Sequence, residues 1–228
     1  MILLPSMLDL TLVNPMSPLG AYTELVRAAA KYNFATICVN SFHVPLISSL
    51  LNAHPEITTK TCSVIAFPFG ATDIHTKSLE IERAISKGAH ELDVVINISL
   101  VKTGDWKRLR EELAEIREAS DHHILKMILE VGLLTDEEIK TSARICLENN
   151  ADFLKTSTGI NIEVAPTKTA EYVHMLKKLT DGTRAQVKAS GFIKTLADCE
   201  LMLQAGATRI GASNAVGIME ELTIRTNG

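Results

Sequence analysis

Asp152-Phe-Leu-Lys-Thr-Ser-Thr-Gly159 reads as a short buried strand closed by a glycine, with a lysine where the apolar run ends. Gln186-Val-Lys-Ala-Ser-Gly191 repeats the pattern one helix later. The intervening segment, roughly Thr167 to Leu179, has helical periodicity. A strand, a helix and a second strand of the same kind make a βα repeat, the unit of parallel-sheet folds.

The repeat extends in both directions. Upstream, strands are expected at Met7 to Leu10, Thr36 to Val39, Thr61 to Phe67, Glu91 to Ile96 and Ile124 to Leu129. Downstream, Arg209-Ile-Gly211 is a last short strand before a final helix. Ser17 reads as an N-cap with Pro18 at the first helical position, ahead of an apolar face of Tyr22, Leu25, Val26 and Ala29. Further helices are expected near His75 to Lys87, around Leu109, Leu113 and Ile116, and at Leu196 to Leu203. Thr135 with Glu138 forms a capping box before the stripe Ile139, Ala143, Cys146 and Leu147. Trp106 is expected to pack on a helix start. About eight βα units in one chain of this length predict a (β/α)₈ barrel, taken as a single domain over residues 1–228. A doubly wound open sheet competes, but no G-x-G-x-x-G follows the first strand.

Composition narrows the functions. The net charge of -4 leaves no basic footprint for nucleic acid. No apolar run approaches the ~20 residues of a membrane span, and Met1 to Met7 lacks the basic region of a signal peptide. The four cysteines, Cys38, Cys62, Cys146 and Cys199, are scattered and form no C-x-x-C pair. They read as reduced core residues of a cytoplasmic protein, with no metal site expected. His122-His123, between a helix and a strand, reads as solvated loop.

The chemistry lies in the lysines. Lysine is seldom buried without a partner, and burial or a neighbouring cation lowers an amine's pKa. A neutral amine can form a Schiff base with a carbonyl. Lys155 and Lys188 therefore suggest one lysine for covalent chemistry and one to tune it. Strand alternation puts Lys155, Lys188, Asp93 and Lys126 on inward faces, and Asp9 can join them. Asp93 is placed to move protons through a water. One such lysine alone would more often be a salt-bridged core group. Thr156, Ser157 and Thr158 have no His–Asp partner pattern for a serine-type nucleophile. Cys38 ends a strand facing the same site, where inert burial is the simpler reading. Gly159, Gly191 and Gly211 close the last three strands, where barrels commonly hold phosphate.

Lys155-Thr-Ser-Thr-Gly159 resembles the active-site signature of the deoxyribose-phosphate aldolases, class I aldolases of deoxynucleoside salvage. The resemblance runs through Leu8-Asp-Leu-Thr11, Phe67-Pro-Phe-Gly70, Gly88-Ala-His-Glu-Leu-Asp-Val-Val95, Leu125-Lys-Met-Ile-Leu-Glu130, Lys188-Ala-Ser-Gly191 and Arg209-Ile-Gly-Ala-Ser213. It implies a (β/α)₈ barrel, often dimeric, that needs no metal or organic cofactor. Its substrate would be 2-deoxyribose 5-phosphate, cleaved reversibly to acetaldehyde and glyceraldehyde 3-phosphate. Lys155 would be the Schiff-base lysine, Lys188 the lysine that lowers its pKa, and Asp93 the acid/base. Asp9, Lys126, Thr158 and Cys38 would support them. Gly159, Gly191, Phe192, Gly211, Ser213 and Asn214 would bind phosphate. The chain departs from the family where Phe192 replaces a usual glycine and Asn214 a usual serine or glycine. Ile160 stands where some members have a lysine, and Arg225-Thr-Asn-Gly228 lacks a terminal tyrosine. Either the bulk of Phe192 narrows the phosphate cradle, or its N–H still serves the phosphate. Two rivals are an aldolase with another acceptor aldehyde and an idle barrel that binds sugar phosphates.

Overall fold

The computed structural model describes residues 3–227. Eight strands close a parallel barrel in chain order: β1 Leu8–Leu12, β2 Thr36–Asn40, β3 Lys60–Ile65, β4 Glu91–Val95, β5 Ile124–Ile128, β6 Phe153–Lys155, β7 Gln186–Ser190 and β8 Arg209–Ala212. The helices are α1 Leu19–Tyr32, α2 Val44–Asn52, α3 Ile74–Ser86, α4 Ile98–Thr103, α5 Trp106–Ala119, α6 Asp136–Glu148, α7 Pro166–Thr180, α8 Leu196–Ala205 and α9 Ala215–Asn227. β8 pairs with β1, so no sheet edge is left open.

Two side-chain layers follow from strand alternation. Outward residues such as Leu92, Val94, Leu125, Met127, Val187 and Ala189 are fully buried and form the apolar layer under the helices. The inward layer is different. Barrel interiors are ordinarily filled by branched aliphatics, but here Asp9, Asp93, Lys126 and Lys188 are fully buried.

Alternation sets the height of these groups. Asp93 pairs with Lys126 across β4 and β5, and Lys155 pairs with Lys188 across β6 and β7. Each lysine side chain reaches along the strands from a Cα deep in the barrel. The shared register therefore brings the amines together rather than to separate depths.

Local rules account for most helix boundaries. Thr135 and Glu138 make the expected capping box on α6, and Ile139, Ala143 and Cys146 are its buried stripe. α5 begins at Trp106, whose ring packs against the core. The reading at Ser17 needs correction. Pro18, not Ser17, occupies the capping position and α1 starts at Leu19. The Ser17 N–H is used in a preceding turn on Asn14 O, and Pro18 O accepts the first helical bond from Ala21 at 2.9 Å.

A buried ion pair braces the end of β4. Lys77 of α3 donates to Glu112 of α5 at 2.8 Å and to Val95 O at 3.0 Å. Glu112 in turn accepts from Asn97 N at 3.1 Å. The strand that carries Asp93 is thus fixed from its outer side.

Candidate functional site

Three lysines converge on one carboxylate. Asp93 Oδ2 accepts from Lys155 Nζ and Lys188 Nζ, each at 2.6 Å, and Asp93 Oδ1 from Lys126 Nζ at 2.8 Å. Lys188 also bonds Asp9 Oδ2. Below them, Arg209 Nη1 reaches Asp9 Oδ1 at 2.7 Å and Glu91 Oε2 at 3.0 Å, and Lys126 reaches Glu91 Oε2 at 2.7 Å. The sequence reading missed Glu91 and Arg209. The available signal was alternation: Glu91 lies two residues before Asp93, and Arg209 two before Gly211, so each shares its inward face.

The charges can be assigned physically. Burial pushes the Asp93 carboxyl up, but Lys126, Lys155 and Lys188 outweigh it and hold it well below the usual carboxylate range. Asp9 is likewise held low against burial by Lys188, Lys126 and Arg209. Burial pulls Lys188 down, and Asp9 with Asp93 more than reverses this, so it stays charged. Lys126 is raised in the same way, chiefly by Asp93 against burial. Lys126, Lys188 and Arg209 then match Asp9, Glu91 and Asp93 in charge. A protonated Lys155 is the surplus cation. Its ammonium pairs with no carboxylate but Asp93 among the described residues.

Lys155 is also the cluster member that borders the cavity at the open end of the barrel. A cavity of about 390 Å³ opens at the C-terminal ends of the strands, and Lys155 lines it while Lys126, Lys188 and Asp93 do not. A second cleft of similar volume lies at the N-terminal ends of β5 to β7, beside Arg117 and Arg184, and contains none of the lysine cluster.

Glycine geometry shapes the cavity wall. Gly159 and Gly191 both have positive φ, and a Cβ on Gly159 would lie 3.2 Å from Gly191 Cα. The loops after β6 and β7 therefore touch backbone to backbone. Gly211 leaves room for Lys188, since a Cβ there would lie 3.1 Å from Lys188 Cε. Thr158, Phe192 and Ser213 line the cavity with these glycines. Asn214 does not line it; its side-chain amide donates to Lys194 O at 3.0 Å. Thr158 is fixed by Glu130, a fully buried carboxylate that accepts its hydroxyl at 2.5 Å and the Asn161 amide at 2.8 Å.

Cys38 and Cys62 are register partners on β2 and β3, and their sulfurs lie with an Asp93 oxygen in a group spanning at most 4.8 Å. Hydrogen bonding to Cys62 lowers the Cys38 thiol's pKa, while burial raises that of Cys62. This donor set does not suit a metal ion. The Asp93 oxygens already serve three lysine amines, and a cation placed there would face them.

Buried carboxylates, charged lysines and one amine open to a strand-end cavity define a barrel enzyme of the lysine-nucleophile class. A sequence profile of DeoC/LacD family aldolases matches residues 9–219, and the chain belongs to that family. It is 38% identical over 215 residues to the deoxyribose-phosphate aldolase of Staphylococcus carnosus, covering 94% of each chain. Among solved structures it superposes on QR15, an aldolase, with a TM-score of 0.90 at 36% identity, covering 100% of this chain and 99% of that one. The tetrameric deoxyribose phosphate aldolase of Aeropyrum pernix superposes with a TM-score of 0.85 at 30% identity, covering 96% and 90%.

Proposed function

We propose that this protein is a class I aldolase that cleaves 2-deoxyribose 5-phosphate reversibly to acetaldehyde and glyceraldehyde 3-phosphate. The observation that carries the proposal is Lys155, the surplus amine of a buried charge cluster and its only member lining the cavity. Its neutral Nζ adds to the aldehyde carbon of the open-chain sugar. The carbinolamine loses water to give a protonated imine. Asp93, acting through a water, then takes the proton from the hydroxyl on C3. The electrons of the C2–C3 bond move into the imine, glyceraldehyde 3-phosphate leaves, and an enamine remains. Protonation at C2 and hydrolysis release acetaldehyde and restore the amine.

The charged neighbours give this sequence its energetics. Lys188 is a fixed cation that shares the Asp93 Oδ2 atom with Lys155. Asp9 and Arg209 hold Lys188 charged and in place. Gly159, Gly191, Phe192, Gly211 and Ser213 provide the wall for the phosphate end. Asn214 acts behind that wall, through the backbone of Lys194. An idle sugar-phosphate-binding barrel is disfavoured because it would gain nothing from a buried surplus amine.

Chain-wide properties follow the same reading. A single barrel domain is proposed for residues 1–228, of which residues 1, 2 and 228 lie outside the described structure. The four cysteines are free, which supports a reducing, cytoplasmic setting. No helix among the described residues is long and apolar enough to cross a membrane. Homodimer formation is proposed on the family resemblance and is read directly by sedimentation.

Borohydride reduction in the presence of acetaldehyde should leave one adduct on Lys155, located by peptide mapping. A coupled assay should show cleavage of 2-deoxyribose 5-phosphate, abolished in Lys155→Ala. An adduct confined to another lysine, or full turnover by Lys155→Ala, overturns the assignment.

A further inference from the structure

The cavity carries two charged side chains, and both are lysines. Lys155 sits at its inner end, Lys194 belongs to the loop after β7, and no acidic side chain lines it. Lys194 is exposed and has no ion-pair partner among the described residues. Its backbone is nevertheless held at both polar groups. Lys194 N donates to Asp198 Oδ2 at 3.0 Å, and Lys194 O accepts the Asn214 amide at 3.0 Å. The capping box that starts α8 uses the same Asp198 carboxylate. The base of the lysine is thus fixed while its long side chain is free to choose a direction.

Phe192 supplies that direction. The Lys194 Nζ lies 5.6 Å from the centroid of the Phe192 ring, within range for a cation–π contact. Phe192 has φ +56, directly after Gly191 at φ +96. A bulky L-residue in the left-handed region is an uncommon and costly choice. Glycine would hold the same backbone without that cost. Such strain at a cavity wall calls for a function that the side chain itself performs. Phe192 thus keeps the left-handed backbone that a glycine would adopt. What the ring adds is a face on which an ammonium can rest.

We propose that Phe192 is a specificity-determining residue that acts through Lys194. Its ring holds the Lys194 ammonium at the outer end of the cavity, where it recognises the phosphate monoester of the substrate. Anion selection in this chain then depends on a side-chain charge positioned by an aromatic face, in addition to backbone N–H groups. The inference rests on the proposed phosphorylated substrate, and it makes Phe192 a positioning residue rather than a catalytic one. Binding at the phosphate is remote from the breaking C2–C3 bond, so the effect falls on KM and not on kcat.

The test compares Lys194→Met, Phe192→Leu, Phe192→Tyr and the Lys194→Met/Phe192→Leu double variant. Leucine keeps apolar bulk without a π face, and tyrosine keeps the face. With 2-deoxyribose 5-phosphate, Lys194→Met should raise KM about tenfold or more, the size of a lost charge-assisted hydrogen bond. Phe192→Leu should raise it about two- to fivefold, the size of an exposed cation–π contact. Phe192→Tyr should match the wild type. The double variant should match Lys194→Met, because without the ammonium the ring has nothing to position. Calorimetric titration with inorganic phosphate reads the same order of affinities without catalysis. It therefore separates failure of this inference from failure of the proposed reaction. A Phe192→Leu protein that binds phosphate like the wild type overturns the inference. So does a double variant whose losses add, or an effect confined to kcat.

Discussion

Asp93→Asn separates the proposed proton carrier, Asp93, from the proposed nucleophile, Lys155. The substitution keeps the side chain's shape and removes its charge. Lys126 retains Glu91 at 2.7 Å, and Lys188 retains Asp9. Lys155 loses the one carboxylate it pairs with. Breaking a buried pair ordinarily costs about 3–5 kcal/mol, because one charge is stranded. Here the stranded amine borders the cavity and can release its proton, so the cost should stay near the lower end, about 3 kcal/mol. In a chain of this size that corresponds to a drop in Tm of roughly 6–12 °C, and the variant should remain folded at room temperature. The loss of turnover should be larger, about 10²- to 10⁴-fold, the usual contribution of a positioned acid/base. Borohydride with acetaldehyde should still modify Lys155 to completion, though more slowly, since the amine is intact. Turnover, adduct yield by mass spectrometry and Tm would be measured on the same preparation. A folded variant whose turnover stays within about tenfold of the wild type would refute the role given to Asp93.

Three further outcomes follow from the charge layer and its braces. Lys188→Met should lower turnover at neutral pH, because the fixed cation that shares the Asp93 oxygen with Lys155 is gone; a variant with wild-type turnover at neutral pH would remove Lys188 from the mechanism. Asp9 and Asp93 have folded pKa values below the ordinary 3.8, so the stability they contribute is complete above that pH and is lost as the pH falls toward the folded values. Thermal melts should therefore show Tm declining below about pH 4, and a Tm insensitive to acid there would contradict the assigned charges. Lys77→Met should destabilise the barrel by about 3–5 kcal/mol in urea unfolding by leaving Glu112 buried without a cation, and Lys77→Met/Glu112→Leu should recover much of the loss.

Much of this fold was legible because each βα unit states its period locally. The strand around Lys155 is a three-residue ladder element, yet the flanking Asp152-Phe-Leu and Thr-Ser-Thr-Gly marked it. What escaped were α2 and α4. α2 follows directly on a 3-10 turn at Ser41–His43 with no loop between them, and α4 is six residues long, set by the Asn97 cap and ended at Gly104. Within the site, inward alternation placed Asp93, Lys126, Lys155 and Lys188 on converging faces. It could not give distances, because those depend on barrel stagger, a property of all eight strands together. Glu91 and Arg209 were overlooked for a related reason. They meet each other across the barrel, and Arg209 bonds Asp9 only because β8 closes onto β1. Phe192 was visible as a departure, but its partner Lys194 was not, since nothing in the sequence couples an aromatic ring to an exposed lysine two positions on.

The charge layer is an expensive way to fill a barrel. Well-packed apolar residues of similar volume commonly match or exceed a buried ion-pair network in stability. The arrangement here also fails as a purely structural device, because it carries a cation too many when Lys155 is protonated. The failure is informative. Removing a proton from Lys126 or Lys188 would take a cationic contact from two carboxylates at once deep in the barrel, since each lysine has more than one carboxylate contact. Removing it from Lys155 leaves Asp93 with two ammonium partners and brings the network to neutrality. The state in which the cluster is electrically balanced is thus the state in which the cavity presents a nucleophilic amine. Desolvation, which penalises any uncompensated charge, then works for the reaction. In the proposed mechanism, the same burial that makes the cluster costly selects which of its lysines reacts.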